Sequence, residues 1–298
     1  PRHAGSIQEC NEQGSEVREL FGMKNPYYPI DTVVEDVITE TPTIKTFVLK
    51  PARPIQFKAG QFMQLTVPGV GEAPFTPSSD PNVTERMEIT ILKTGKVTDA
   101  LHDQVGPGAR VGLRGPFGKG YPLDKLVGKD VVVVGGGVGL APMRALLYGL
   151  FADPSKYRKI VIKFGAREPA ELSFRRQYDE WRALADNISL ETTIDVPHPD
   201  WSGHVGLVTT LLEPGKLEGI DISDGYALSS GPEIMLKFVT LQLLEVGFKP
   251  PQIYLSMNRK MSCGMGKCGR CNVGHYYLCV DGPDMCYDKI KHVPNVFG

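Results

Sequence analysis

No apolar run in this sequence approaches the roughly 20 residues that a membrane-spanning helix needs. The most apolar stretch, Val131–Val134, ends at once in glycines. A charge excess is also missing. The 33 Lys+Arg and 34 Asp+Glu leave a formal net charge of −1, and no long basic block appears; this is not the footprint of a nucleic-acid-binding protein. A secretory signal is not visible, because the first 25 residues are polar and carry charges of both signs, so a cytoplasmic location is expected. The chain begins at Pro1 rather than Met, from which N-terminal processing or trimming is expected. Internal repeats, low-complexity tracts and Ser/His/Asp or Cys/His nucleophile arrangements are absent too. The six cysteines are not spread like a disulfide framework: five of them fall between 263 and 286. In a chain without a secretory signal, such a cluster reads first as a metal site.

What is present suggests more than one folding unit. A length of 298 residues is long for a single core, and the 41% apolar fraction is enough to bury a sizeable one. Abundant glycine (33) and proline (24) fit short strands and tight turns better than a helical bundle. Residues 1–24 lack clear periodicity and read as an arm. Residues 25–125 look all-β: Thr43–Lys50, Gln61–Val67, Met87–Lys93 and Arg110–Leu113 are short, rich in Val, Ile, Thr and Phe, and separated by Pro/Gly/Asp punctuation. Such a series predicts a barrel or sandwich. From Gly128 onward strands and helices alternate. Strands are predicted at Asp130–Val134, Lys159–Phe164, Ile188–Ile194, Gly225–Leu228 and Ile253–Met257. Helices are predicted at Met143–Phe151, at Glu171–Ala185 and on the repeat Ile234, Phe238, Leu241, Leu244. That alternation argues for a doubly wound parallel sheet.

The cysteines run Cys263-x4-Cys268-x2-Cys271-x7-Cys279. This is the plant-type [2Fe–2S] spacing. Gly264, Gly266 and Gly269 supply the backbone freedom a loop needs to fold thiolates inward, and its N–H groups can hydrogen-bond the sulfurs. Lys260, Lys267 and Arg270 can offset the negative charge. The alternative is a structural zinc knuckle, although zinc sites favour two separated pairs rather than a triplet plus one. His275 has no second histidine nearby and reads as a solvent or packing residue. Cys286 reads as a thiol in the packing, with substitute ligation as the alternative, and Cys10 as structural.

Gly135-Gly136-Gly137-Val138-Gly139-Leu140-Ala141-Pro142 lies between a predicted strand and a predicted helix. Glycines at such a junction let a pyrophosphate approach the backbone, and the helix start offers free N–H groups; Pro142 suits a first helical turn. The spacing is not Gly-x-Gly-x-x-Gly, and a tight strand–helix turn is the alternative. After the second strand come Arg167, Arg175 and Arg176 with no acidic residue closing the strand. This leans towards a nucleotide carrying a 2′-phosphate, with a solvated basic face as the alternative.

Taken in order, Asn25-Pro26-Tyr27, Gly60-Gln61-Phe62, Gly95-Lys96-Val97-Thr98, Arg114-Gly115-Pro116-Phe117-Gly118, Gly137-x-Gly139-x-Ala141-Pro142, Ser230-Gly231-Pro232, the cysteine motif and Asp281-Gly282-Pro283 resemble the ferredoxin–NADP reductase superfamily. The likeness covers about residues 25–298. It is closer to the flavin and iron–sulfur electron-transfer subunits, such as the gamma (diaphorase) subunit of soluble nickel–iron hydrogenases, the sulfite reductase B subunit and the dihydroorotate dehydrogenase electron-transfer subunit. The resemblance implies an FAD-binding β-barrel over 25–127 and a doubly wound NAD(P)-binding α/β domain over 128–258. It also implies a small [2Fe–2S] domain over 259–298 that uses Cys263, Cys268, Cys271 and Cys279. It implies that Pro74-Phe75-Thr76 forms the flavin segment, with Thr76 at the flavin ring edge, the one residue of this chain assigned a catalytic part. Gly95, Lys96, Val97 and Thr98 would hold the flavin pyrophosphate. Gly137, Gly139, Pro142, Arg167, Gly231 and Pro232 would serve the nicotinamide nucleotide.

Two positions depart from the family pattern. Ala73 stands where many members have a phosphate-anchoring Arg, and Asn258 where close relatives often have Glu. The expected role is an oxidoreductase subunit that moves electrons between NAD(P)H, FAD, the cluster and a partner enzyme. A nickel–iron hydrogenase is the first choice of partner, with sulfite reductase or dihydroorotate dehydrogenase as alternatives. A relay module without nucleotide turnover and a structural zinc protein are the competing readings. A hetero-oligomer is expected, with residues 1–24 ordered by the partner surface.

Overall fold

The computed structural model describes residues 25–297, so the predicted arm and Cys10 lie outside the described residues. Six strands build the first half: β1 (Ile30–Thr39), β2 (Ile44–Pro51), β3 (Phe62–Val67), β4 (Gly71–Phe75), β5 (Met87–Leu92) and β6 (Arg110–Phe117). A helix, α1 (Lys96–Gln104), follows β5. The strands pair antiparallel in the order β4-β3-β6-β1-β2-β5 and form a barrel. Its interior is filled by Phe47, Leu49, Met63, Leu65, Ile89 and Leu113. β1 was not legible in the sequence: its alternation is broken by a register shift between Val34 and Asp36. A bulge of this kind disrupts the two-residue period.

A short helix, α2 (Leu123–Leu126), leads into the second half. There β7 (Asp130–Gly136), α3 (Leu140–Phe151), β8 (Lys159–Ala166), α4 (Tyr178–Ala183) and β9 (Ile188–Ile194) follow one another. A two-residue β10 (His204–Val205), then β11 (Tyr226–Ser230), α5 (Glu233–Glu245) and β12 (Ile253–Ser256) complete the α/β pattern. β7 is buried along its whole length, as a central parallel strand covered on both faces must be. The order of the sheet is β10-β9-β8-β7-β11-β12, with one further C-terminal strand, β15 (Asp284–Cys286), beside β12. From β7 the chain builds outward to one side, then returns to build on the other. The reversal opens a crevice at the carboxyl ends of β7 and β11.

The C-terminal region contains a small hairpin, β13 (Asn272–Val273) with β14 (Tyr276–Tyr277), then α6 (Leu278–Asp281), β15 (Asp284–Cys286) and α7 (Tyr287–Ile290). β15 pairs antiparallel with β12 and becomes the edge of the large sheet. The segment after the last motif cysteine is therefore stitched into the α/β layer.

Two predicted helices differ from what is observed. Glu171–Ala185 is not one helix: two 3₁₀ turns precede the short α4. Phe174 adopts φ 58°, which interrupts the right-handed run. Its fully buried ring lies 4.7 Å from the Arg144 guanidinium. In α5 the periodic set Ile234, Phe238 and Leu241 is exposed, at 61%, 52% and 51%, while Leu236, Val239, Thr240 and Leu243 face the core. The helix is apolar nearly all round, so periodicity alone cannot choose its buried face.

The halves are joined by polar ties. Arg144, on α3, is buried and pairs with Glu88 of β5, donates to the Ser78 carbonyl at 3.2 Å and reaches Gln177 at 2.9 Å. Arg176 forms a two-pronged pair with Glu40 at 2.8 Å for each contact. Glu171 accepts from the hydroxyls of Thr41 and Thr43. Replacing Arg144 by Met leaves Glu88 facing the seam without a partner. We expect a loss of about 1.5–3 kcal/mol in denaturant unfolding, with flavin-site residues unchanged in sequence. A change below a few tenths would show that the seam does not depend on this contact.

Candidate functional site

A cleft of about 1180 Å³ runs between the barrel and the crevice at the ends of β7 and β11. Ordinary single-ligand pockets hold about 300–1,000 Å³, so there is room for more than one ligand. Pro74, Phe75, Thr76 and Thr98 line it from the barrel side. Gly137, Gly139, Pro142, Arg167, Gly231 and Pro232 line it from the α/β side. Ten of the residues singled out from the sequence thus meet in one space. Gly95, Lys96 and Val97 are not on its wall, although their neighbours Thr94 and Thr98 are.

Two helix starts point at this space. Gly95 caps α1, and Thr98 folds back to accept the N–H groups of Thr94 at 2.8 Å and Gly95 at 2.9 Å. The next N–H groups of the first turn have no partner within the helix. On the other wall a 3₁₀ turn, Gly137–Gly139, runs directly into α3. These two positive ends suit two phosphate-bearing nucleotides.

The glycines of the second turn differ in what they do. A Cβ on Gly139 would come within 2.2 Å of the Ser230 carbonyl and 2.8 Å of the Gly231 Cα. Gly139 is required by the protein's own backbone approach between β7 and β11. Gly137 has φ 57° and nothing within 4 Å of its Cβ position. It faces open space and is the glycine that leaves room for a ligand.

Ala73 brings no guanidinium to the cleft, and the arginine nearest to it in the barrel is engaged by the protein itself. Arg114, 5% exposed in β6, forms an ion pair with Glu72 of β4. Its guanidinium also donates to the carbonyls of Pro26, Ser262 and Cys263 at 3.1, 3.2 and 3.4 Å and lies against the Tyr27 and Phe117 rings. Burial would raise Glu72, but Arg114 and Thr66 outweigh it and hold the carboxyl below the usual range. Sequence reasoning quoted Arg114 only as part of a motif. An arginine inside a strand of a buried barrel is the signal that could have marked it as a hub.

Among the arginines considered for a 2′-phosphate, Arg167 lines the cleft beside Glu168 and Asp195. Arg176 is taken by Glu40, and Arg175 is not on the wall. Burial raises the Asp195 carboxyl, and Arg167 opposes that shift. Asn258 lines the cleft with Ser256, Met257 and Met261.

Below this end of the cleft is the cysteine loop. Cys263, Cys271 and Cys279 are buried and Cys268 is exposed. The N–H groups of Met265 and Lys267 point at Cys263 Sγ from 3.4 and 3.3 Å, and that of Gly266 at Cys279 Sγ from 3.1 Å. Burial would raise Cys263, but the N–H groups of Met265, Cys268 and Lys267 outweigh it and hold the thiol below its ordinary range. Burial pushes Cys279 up, with Gly266 opposing and Cys271 beside it adding to the rise. Cys268 acts on the Cys263 thiol, and both Cys271 and Cys263 act on Cys279, so the four thiols are neighbours. Among the described residues, no three Cys, His, Asp or Glu side chains gather as they would around a single metal ion. Cys286 faces the carbonyls of Pro250 and Pro251 and takes no part. His275 is exposed against Tyr276. A Cβ on Gly264 would strike the Phe117 ring at 2.7 Å. That ring sits 5.6 Å from Phe62, which lines the cleft. Packed aromatic rings thus connect the cleft wall to the loop.

Comparison with known proteins agrees with this arrangement. The oxidoreductase FAD-binding domain profile matches residues 32–121, and the oxidoreductase NAD-binding domain profile matches residues 133–240. The sulfhydrogenase 2 gamma subunit of Pyrococcus furiosus is 33% identical over 284 residues, covering 88% of this chain and 96% of that one. The sulfhydrogenase 1 gamma subunit of the same organism is 33% identical over 282 residues, covering 91% and 95%. A probable dihydroorotate dehydrogenase B (NAD(+)) electron transfer subunit of Methanocaldococcus jannaschii is 32% identical over 269 residues, covering 89% and 92%. Among solved structures, the NADH-dependent reduced ferredoxin-NADP oxidoreductase superposes with a TM-score of 0.69 at 24% identity, over 90% of this chain and 93% of that one. A ferredoxin NADP+ reductase of Neisseria gonorrhoeae gives 0.65 at 21% identity, over 76% and 96%. With two nucleotide-binding domains in one order and a third of its residues shared along nearly the whole of both chains, this protein belongs to the family of FAD- and NAD-binding oxidoreductases that holds the sulfhydrogenase gamma subunits and the dihydroorotate dehydrogenase electron transfer subunits.

Proposed function

We propose that this chain is an electron-transfer subunit that moves electrons between NAD(P)H, FAD and a [2Fe–2S] cluster, to or from a partner enzyme. The observation that carries the reading is the single cleft with two phosphate-suited helix starts, joined through Phe62 and Phe117 to the loop that carries the four thiols. When bound, FAD would accept hydride as two electrons and release them singly, and the cluster would take them one at a time.

The residues of this chain have separate tasks. Pro74, Phe75 and Thr76 would hold the flavin ring, with the Thr76 hydroxyl at its edge. Gly95 to Thr98 would receive the flavin pyrophosphate through the start of α1. Gly137, Pro142, Gly231 and Pro232 would position the nicotinamide nucleotide in the crevice, with Gly139 keeping the crevice closed behind them. Cys263, Cys268, Cys271 and Cys279 would hold the cluster. The N–H groups of Met265, Gly266 and Lys267 favour thiolate there. The functional limits remain those of the expectation, 25–127, 128–258 and 259–298, although β15 is shared with the nucleotide-binding sheet.

The partner reading has two supports. The relatives are themselves named as subunits, and Ile234, Phe238 and Leu241 leave an apolar stripe on α5 exposed of the kind that subunits cover. Nickel–iron hydrogenase is the partner we favour, with dihydroorotate dehydrogenase and sulfite reductase as the alternatives.

Cys268→Ser should remove the iron while FAD stays bound, read as metal and flavin content of the purified chain; unchanged iron would sink the ligand assignment. Gly137→Ala should raise the apparent Kd for NAD(P)H about tenfold with flavin retention unaffected. Gly139→Val should instead lower stability outright, so it reports on the fold and not on the ligand. Anaerobic bleaching of the flavin by NADH and NADPH, compared in parent and Arg167→Ala, tests the phosphate role of Arg167: the variant should lose affinity for NADPH more than for NADH. No bleaching by either nucleotide would favour a relay without turnover.

A further inference from the structure

One acidic group beside the cleft has no part in the electron route. Asp284, 7% exposed, opens β15. Antiparallel pairing sets it directly opposite Ser256, the last residue of β12. Directly paired residues project from the same face of a sheet, and Ser256 also lines the cleft. From the barrel side, Tyr121, also 7% exposed, reaches the same spot. Gly60 makes the space: a Cβ there would lie 2.1 Å from Asp284 Oδ2 and 2.8 Å from the Tyr121 ring.

The carboxyl is sealed but not tied. Neither Asp284 oxygen and no atom of the Tyr121 hydroxyl completes a hydrogen bond among the described residues. The groups that act on Asp284 are the Ser256 and Tyr121 hydroxyls, with no cation among them. Gly60 and Pro283 offer no charge. The nearest ion pair on this segment, Lys119 with Asp281, lies at the surface. An ionised carboxylate left buried without a partner is costly. Burial pushes Asp284 up to about 7, with Ser256 and Tyr121 opposing. The Tyr121 hydroxyl is pushed up as well, first by burial and then by Asp284, so it stays a neutral phenol.

We propose that Asp284 is the proton-holding group of the cleft, exchanging one proton with the redox site through the Ser256 hydroxyl while Tyr121 frames the carboxyl. The proposal rests on the reading of the cleft as a flavin site. When a reduced flavin gives up two electrons singly, one N–H bond breaks and one proton must go somewhere. The Ser256 hydroxyl, directly opposite Asp284 on the paired strand, turns to take that proton and pass its own to the Asp284 carboxylate; the two electrons leave for the one-electron acceptor. In the opposite direction Asp284 returns the proton. The balance needs no other reactant.

The test uses the full chain and two readouts. The first needs no cofactor: unfolding is followed against pH for the parent and Asp284→Asn. An acid whose folded value lies above its unfolded value binds a proton in the folded chain that the unfolded chain lacks. Its contribution is therefore full below the unfolded value and is lost as pH rises through the folded one, here between about 4 and about 7. Relative to Asp284→Asn, the parent's unfolding constant should rise about a thousandfold across that window, and the variant should be at least as stable at pH 8. A parent that is the more stable at pH 8 would mean a partnered carboxylate and would overturn the proposal. The second readout is the rate at which a one-electron acceptor oxidises the flavin of the reduced holo-chain, followed against pH. In the parent that rate should fall as pH drops through about 7 and the accepting carboxylate becomes protonated, and in Asp284→Asn the break should be absent. An infrared difference spectrum between pH 6 and pH 8 should show a protonated-carboxyl band in the parent that the variant lacks. Rate profiles that are the same in both forms would sink the proton role even if the buried acid titrates as described. Failure of the chain to bind flavin would sink the flavin reading and the proton role together, and the unfolding readout separates that case from this one.

Discussion

Arg114 is the contact on which the arrangement of the site depends. Its charge is taken out of water in β6 and answered by Glu72, one residue before Ala73 and two before the Pro74-Phe75-Thr76 wall. The remaining donors go to carbonyls of Pro26, Ser262 and Cys263, and Phe117 closes over the guanidinium. A buried guanidinium left with unmet donors is expensive, so each carbonyl it holds is fixed to within hydrogen-bond tolerance. One side chain thus sets the flavin-side strand, the entry of the chain into the barrel and the start of the cysteine loop against one another.

A second constraint is steric. The crevice between β7 and β11 exists because the sheet reverses its build direction there, and its width is set by the contact between Gly139 and the Ser230 carbonyl. The glycine run mixes purposes that look alike in a sequence. Gly139 serves closure and Gly137 serves open space. At the opposite end, Gly60 serves neither backbone turn nor ligand alone, since the volume it leaves is filled by Asp284 and Tyr121. Redox work and proton work then meet along β12, whose last residue, Ser256, faces both the cleft and the buried acid.

The sequence by itself determined the order of the two halves, because short strands between Pro/Gly/Asp turns, and after Gly128 strands alternating with helices, each fit only one kind of sheet. It marked the glycine turn by its place between a strand and a helix and the cysteine loop by its spacing, while Pro74 to Thr76 and Ser230 to Pro232 were marked by resemblance to a known family. Only the tertiary structure decided the rest. The outward face of α5 depends on what packs against it, not on its own repeat. The break at Phe174 accompanies a ring buried against the Arg144 guanidinium, a contact made from another helix. Of three candidate arginines, contact with Glu40 removed Arg176 from the cleft and left Arg167 on it. The sealed carboxyl of Asp284 arises from three segments far apart in the chain, so no window of sequence holds it. Local geometry is written in neighbouring residues, whereas burial and partner choice are properties of distances that exist only once the chain has closed on itself.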